Sequence, residues 1–259
     1  MFGRRGSSLK IRLLIGLAFV AFGYFKYCSS KQENPYTGRV QAINMTPDQE
    51  IAIGLQHRPA MAEQHGGWHP DQQLQAFIDQ IGQKLVDNSI AKETPYQYEF
   101  HVLSDEQTIN AFALPGGQIF ITYALLSKLE NEDQVAGVLG REIGHVLGKH
   151  SAERVANSQL WETISQGAEI GAGAGAAAAG IGQNILLGNG RGDELESDDL
   201  GVKFMINAGY NPNEMIGVMQ ILKAAGGPNR QPEFQSTHPD PENRIEKIKE
   251  SIQKYGYQG

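Results

Sequence analysis

Leu74, Phe77, Ile78, Ile81 and Leu85 recur at intervals of three and four along PDQQLQAFIDQIGQKLVDN, the spacing of a helix face packed on a core. Upstream, TPDQEIAIGLQ carries a helix start: Thr46 is the N-cap, Pro47 suits the first position, and Glu50 puts a negative charge in the first turn. After Pro95 the period shortens to two. YQYEFHVL and GGQIFIT alternate with β-branched or aromatic residues, which predicts two short strands, and NAFALPGG reads as a turn between them. From Tyr123 helical spacing returns and, apart from Gly-rich breaks, persists to the C-terminus. The expected fold is mainly α with a small β-sheet, an α+β arrangement.

The N-terminus follows another pattern. MFGRRGSSLKIR carries Arg4, Arg5, Lys10 and Arg12 without an acid, and the apolar run LLIGLAFVAFGYF follows. The run, Leu13 to Phe25, is shorter than the ~20 residues of a comfortable span, but Lys26 and the flanking tyrosines extend it to an interface. Residues 1–28 therefore read as a signal segment or an uncleaved membrane anchor, with a lipoprotein or secreted form as the alternative. The basic flank orients the bulk of the chain to the extracytoplasmic side. The polar, turn-rich residues 29–45 suit a tether, and residues 46–259 form the remaining domain. Within it, GAEIGAGAGAAAAGIGQNILLGNG is too rich in glycine and polar residues for a good second span and reads as a connection between helices.

Composition narrows the functional classes. A length of 259 residues with 40% hydrophobic content supports a globular core. A net charge of -7 argues against a nucleic-acid partner. The single cysteine, Cys28, excludes an internal disulfide framework and a Cys-rich zinc module, so any metal must be held by His and carboxylates.

Two stretches carry candidate chemistry. GVLGREIGHVLGKH has the spacing of a zinc-binding H-E-x-x-H helix, in which residues four apart share one face and the intervening Glu holds the attacking water. Glu142 and His145 are in register, but Arg141 stands where the first His belongs. Downstream, DELESDDLG places Glu194 and Asp198 four apart on one helix face, where one carboxylate can ligate a metal and the other can orient a ligating His. Taken alone, each stretch also fits a solvated helix.

With NAFALPGGQIFIT, LENEDQVAGVLGREIGHVLGKHSAERV, ELESDDLG with AGYNP, and STHPDPENRI in this order, the chain from about Thr46 to Ile252 resembles the HtpX-like and CAAX-prenyl-protease-like metallopeptidases of family M48, and among them the BepA-like and LoiP-like envelope proteins. The resemblance implies a gluzincin-type domain with one zinc ion, anchored in the inner membrane and facing the periplasm, that hydrolyses unfolded or misfolded envelope proteins. It implies His145 and Glu194 as zinc ligands and Glu142 as general base. Asp198 would orient a ligand, His238 would serve the oxyanion or the open zinc position, and Arg244 would support that loop. It further implies an edge strand at Gly117, Gln118, Ile119 and Phe120 to which an extended peptide adds through main-chain hydrogen bonds.

Arg141 departs from the family. A guanidinium offers donors only and stays charged, so it cannot ligate zinc. Among nearby acids it is expected to form a salt bridge with Glu194 or a neighbouring acid. His150, ~140° around a continuous helix from His145, does not replace the lost ligand. Two readings follow: a protease disabled at one ligand, or a non-catalytic pseudoprotease acting as a binding or chaperone-like module.

Overall fold

The computed structural model describes residues 5–172, 190–224, 238 and 243–258. Most of the Gly/Ala-rich stretch and much of STHPDPENRI fall outside them. The chain divides into two compact units, one joining the residues up to Asn44 with those from Ala152 onward in the same region, the other joining Met45–Ser151 with the residues after 189.

In the first unit, helix α1 (Arg5–Ser29) contains a 21-residue stretch, Leu9–Ser29, long and apolar enough to cross a membrane. Helix formation thus continues well past both ends of the apolar run. Leu14, Leu17, Phe22 and Phe25 are exposed along it. Within residues 29–45, strands β1 (Lys31–Glu33) and β2 (Val40–Ala42) pair antiparallel. The buried Asn34 side chain closes their turn by accepting from the Tyr36 amide at 2.9 Å.

The second unit is built around a helix with no solvent-facing side. Helices α2 (Pro47–Gln64) and α3 (Gln72–Asp87) start as their caps dictate: Thr46 and Gln49 form a reciprocal capping box, and Asp71 accepts from the amides of Gln73 and Leu74. On α3, Ile78, Ile81 and Leu85 are buried, whereas Phe77 is 38% exposed at the margin of the apolar stripe. Strands β3 (Glu99–Leu103), β4 (Ala111–Ala113) and β5 (Gln118–Thr122) form one sheet in the order β3-β5-β4.

Two expectations change here. The segment read only as a turn contains β4, and the strand expected at the edge is central. Gln118, Ile119 and Phe120 lie in β5, which pairs parallel with β3 and antiparallel with β4, and all five of its residues are buried. Gly117 immediately precedes it. A short strand with an apolar centre, buried along its whole length, suits a position covered on both faces and both edges.

Helix α4 (Tyr123–Leu126) leads to α5 (Glu132–Leu147), which is buried from Gln134 to Leu147. Helices α6 (His150–Ala172), α7 (Arg191–Asn207), α8 (Glu214–Ala224) and α9 (Arg244–Lys254) follow. Helix α5 packs most closely on α7. A Cβ added at Gly144 would lie 2.9 Å from the Ser197 carbonyl oxygen, and one at Gly201 would lie 3.1 Å from the Arg141 amide nitrogen. Glycine at these positions lets the two backbones touch, which sets α5 and α7 close enough for their polar side chains to meet.

Candidate metal and catalytic site

The polar face of α5 carries Arg141, Glu142 and His145, and the facing side of α7 carries Glu194 and Asp198; all five are buried. His145 Nε2 lies 3.6 Å from Glu194 Oε1. The residues expected to share a metal are therefore adjacent, although Arg141 has entered the same space. Its Nη2 donates to Glu194 Oε2 and lies 2.8 Å from His238 Nδ1, its Nη1 donates to Glu142 at 3.0 Å, and its Nε lies 3.2 Å from Asp198 Oδ1.

Asp198 takes a different partner from the one expected. Instead of accepting from a ligating histidine, it receives both arms of Arg244, from Nε at 2.6 Å and Nη2 at 2.8 Å. Arg244 Nη2 also lies 3.4 Å from Glu194. Arg244 therefore ties α9 to the acidic face of α7 with the bidentate geometry that makes arginine–carboxylate pairs strong. His238 Nε2 lies 3.2 Å from the Ala111 carbonyl oxygen of β4, and its Nδ1 lies 2.8 Å from Arg141 Nη2 and 2.9 Å from Glu194 Oε1.

The environment separates the two glutamates. Full burial pushes the Glu142 carboxyl up to about 8, more than Arg141 can offset. Burial also works to raise Glu194, but Arg141, His238 and His145 outweigh it and hold that carboxyl well below the usual range. Burial, reinforced by Arg141, lowers His238 to about 4 and His145 well below the ordinary imidazole value. Near neutral pH, Arg141 and Arg244 then face the carboxylates of Glu194 and Asp198, with Glu142 and both imidazoles neutral. The two guanidinium groups thus sit against two carboxylates in the buried cluster.

The raised Glu142 carboxyl has a measurable consequence. Between the ordinary carboxylate value of 4.5 and about 8, the folded protein binds one more proton at Glu142 than the unfolded chain does. Stability from this group is complete below the lower value and is lost as pH rises through the upper one, at up to about 1.4 kcal/mol per pH unit. Thermal melts of the protein and of Glu142→Gln should therefore diverge as pH rises from about 4.5 to about 8, the parent falling faster across that window. Parallel curves would rule Glu142 out as the titrating group.

The residues present fit the zinc ion that the resemblance implies in all but one position. Among the described residues, Glu142 Oε2 and His145 Nε2 are buried without a hydrogen-bond partner, and ligand atoms of Glu142, His145 and His238 lie within 4.8 Å of one another. Those donors, with Glu194, fit a divalent cation. Arg141 opposes it: the guanidinium holds Glu194 and offers no lone pair.

The contacts of five residues of this region, Glu50, Tyr96, Lys149, His150 and Glu196, escaped sequence reasoning. Helix α5 ends at Gly148, Lys149 adopts a left-handed φ of 54°, and α6 begins anew at His150. The break turns the His150 ring back so that its Nδ1 lies 2.7 Å from His145 Nδ1, a contact that one continuous helix forbids. On the other side of that ring, Glu196 Oε2 lies 2.9 Å from Nε2. Lys149 donates to the buried Glu50 of α2 at 2.5 Å, and Tyr96 donates to the same carboxylate at 3.0 Å. The Gly148–Lys149 pair was the local sign of a helix end; the partners themselves lie far away in sequence.

Comparison with known proteins agrees with this geometry. The profile of peptidase family M48 matches residues 72–252. The beta-barrel assembly-enhancing protease of Yersinia pestis is 28% identical over 225 residues, covering 82% of this chain and 45% of the relative. That of Escherichia coli strain K12 is 31% identical over 189 residues, covering 68% and 38%. The mitochondrial metalloendopeptidase OMA1 of Schizosaccharomyces pombe is 26% identical over 241 residues, covering 90% and 70%. The chain thus spans less than half the length of these two bacterial relatives. A profile match across most of the chain, joined to the meeting of His145 and Glu194 on α5 and α7, shows that the chain belongs to peptidase family M48, a family of metallopeptidases.

Proposed function

We propose that this protein is a membrane-anchored zinc metalloendopeptidase by construction, directed at unfolded or misfolded envelope polypeptides, whose hydrolytic site is disabled by Arg141. The observation that carries the proposal is the Arg141 guanidinium lying across Glu194, Glu142 and Asp198, where the zinc-binding helix of the family has its first imidazole. Zinc supplies a Lewis acid and acidifies water at such a site. Around it, Glu142 is the group to take and return a proton, and His238 is placed to donate to a developing negative charge once released from Ala111. Arg244 positions Asp198.

Substrate would be held in extended form along β4, not β5. In the antiparallel register Phe112 faces Phe120 and the Leu114 amide donates to Gln118, so the backbone groups of Ala111 and Ala113 point away from the sheet. A peptide adding there would bond through its main chain, which predicts weak sequence preference.

Helix α1 supports an inner-membrane anchor with the remaining domain on the periplasmic side, and the relatives named for β-barrel assembly support an envelope setting. The full-length protein should pellet with membranes and resist extraction by high salt, with protease reaching the domain only from the extracytoplasmic face. Recovery as a soluble, uncleaved cytoplasmic protein would overturn the anchor.

The pairing of Arg141 with Glu194 and of Arg244 with Asp198 favours a second reading, a pseudoprotease that binds polypeptide without cutting it. Zinc stoichiometry and casein cleavage separate the two. The parent should show little of either, Arg141→His should gain both, and a variant that folds yet takes up no zinc would favour the binding module.

A further inference from the structure

We infer that His150 and Glu196 form a positioning pair that holds His145 in its Nδ1–H form, leaving the Nε2 lone pair bare and aimed into the site. Its bearing on metal affinity rests on the metallopeptidase reading; the proton placement itself does not.

The argument is an accounting of protons along one chain of contacts. His145 Nδ1 and His150 Nδ1 are 2.7 Å apart, His150 Nε2 and Glu196 Oε2 are 2.9 Å apart, and Asp193 Oδ1 lies 3.8 Å from the same Nε2. The two rings meet edge to face at 78°. An N···N contact of this length holds a single proton, so one Nδ1 donates and the other accepts.

Three placements are available. If His145 donates, His150 accepts at Nδ1 and donates from Nε2 to Glu196, so every N–H has an acceptor. A neutral His150 that donates from Nδ1 instead turns a bare Nε2 toward a carboxylate, two acceptors facing each other at 2.9 Å. A cationic His150 satisfies Glu196, but His145 must then carry its proton on Nε2, a buried atom with no hydrogen-bond partner among the described residues and with Glu194 out of bonding range at 3.6 Å. An unmet buried donor carries the full desolvation penalty, and this placement also adds a cation to a region already holding Arg141 and Arg244. The first placement leaves no donor unmet.

The fold makes the contact rigid. His150 is buried on the first turn of α6, behind the left-handed Lys149, and Glu196 comes from α7, the helix that also carries Glu194 and Asp198. One helix therefore supplies the buried acid that faces His145 and the acid behind the His150 ring that His145 contacts. With the proton held on Nδ1, His145 is prepared to give its Nε2 lone pair to a metal, without first having to move a proton inside a buried cluster.

Nitrogen-15 histidine spectra of the full-length protein in detergent micelles test this, with His145→Gln identifying the signals of His145. The parent should carry the His145 proton on Nδ1 and bear one on His150 Nε2. Glu196→Lys sets a donor-only group where the acceptor stood, and should drive the His145 proton to Nε2; Glu196→Gln, which can still present a carbonyl oxygen, should keep it largely on Nδ1. Added to Arg141→His, Glu196→Lys should weaken zinc binding on the order of 10- to 100-fold, while Glu196→Gln weakens it less. A parent with the His145 proton on Nε2, or a Glu196→Lys protein that keeps it on Nδ1, overturns the inference. Failure of Arg141→His to bind zinc while the parent shows the Nδ1 proton would count against the metallopeptidase reading alone.

Discussion

Replacing Arg141 by His should return zinc and peptide hydrolysis together, and adding Glu142→Gln should then remove the hydrolysis while keeping the zinc. The expectation follows from what one substitution changes. Removing the guanidinium frees Glu194 Oε2, relieves His238 Nδ1 and deletes a buried positive charge; the imidazole that replaces it supplies a lone pair one helical turn from His145. His145, Glu194 and the new imidazole then make the three protein ligands of a catalytic zinc site. The deleted cation leaves Glu194 and Asp198 facing Arg244 alone, a negative excess that further favours a divalent ion. Glu142 is not needed as one of those ligands but is the nearest group able to take a proton from water. Its amide variant should therefore bind zinc and lose roughly 10²–10⁴-fold in turnover. Metal analysis and casein cleavage of the parent, the single and the double variant read all of this. Zinc and activity in the double variant would remove Glu142 from the role of base.

Breaking the Glu50–Lys149 pair should be the most destabilising single change outside the site. Lys149 Nζ and the Glu50 carboxylate are buried, the lysine sits over the Tyr96 ring at 5.3 Å, and its left-handed backbone is what separates α5 from α6. Glu50→Ala leaves a buried ammonium and the Tyr96 hydroxyl without their acceptor, an effect of about 3–5 kcal/mol when one partner of a buried pair is removed. Replacing both partners with apolar side chains of similar length, Glu50→Leu with Lys149→Met, should recover much of the loss, because no charge is then left unpaired. Denaturant melts of the three proteins decide the matter. A shift of less than about 1 kcal/mol in Glu50→Ala would mean that the pair does not hold the break. Because His150 follows Lys149 directly, the same variant should also blur the nitrogen-15 signals of His145.

Some features of this protein depend on neighbours in sequence, and these were legible. The N-caps of α2 and α3, the apolar stripe Ile78, Ile81 and Leu85, the long N-terminal helix and the i, i+4 placement of Arg141 and His145 all arise within a few residues, where backbone geometry alone sets which side chains share a face. The pairing of Arg141 with Glu194 followed from chemistry, since a permanent cation buried beside acids must find one of them. Other features were decided by tertiary structure. An alternating segment has the same pattern at the edge of a sheet as at its centre, so only the order β3-β5-β4 could show that Gln118 to Phe120 lie inside and Ala111 to Ala113 at the rim. Asp198 could have served His145 or an arginine, and the arrival of α9 gave it Arg244. His150 was set aside because five residues of continuous helix turn it away from His145; a single left-handed residue, held by Glu50 from 99 positions earlier than Lys149, turned it back. Pairwise contacts at that separation depend on how helices pack, and packing is a property of the whole core, which no local pattern encodes.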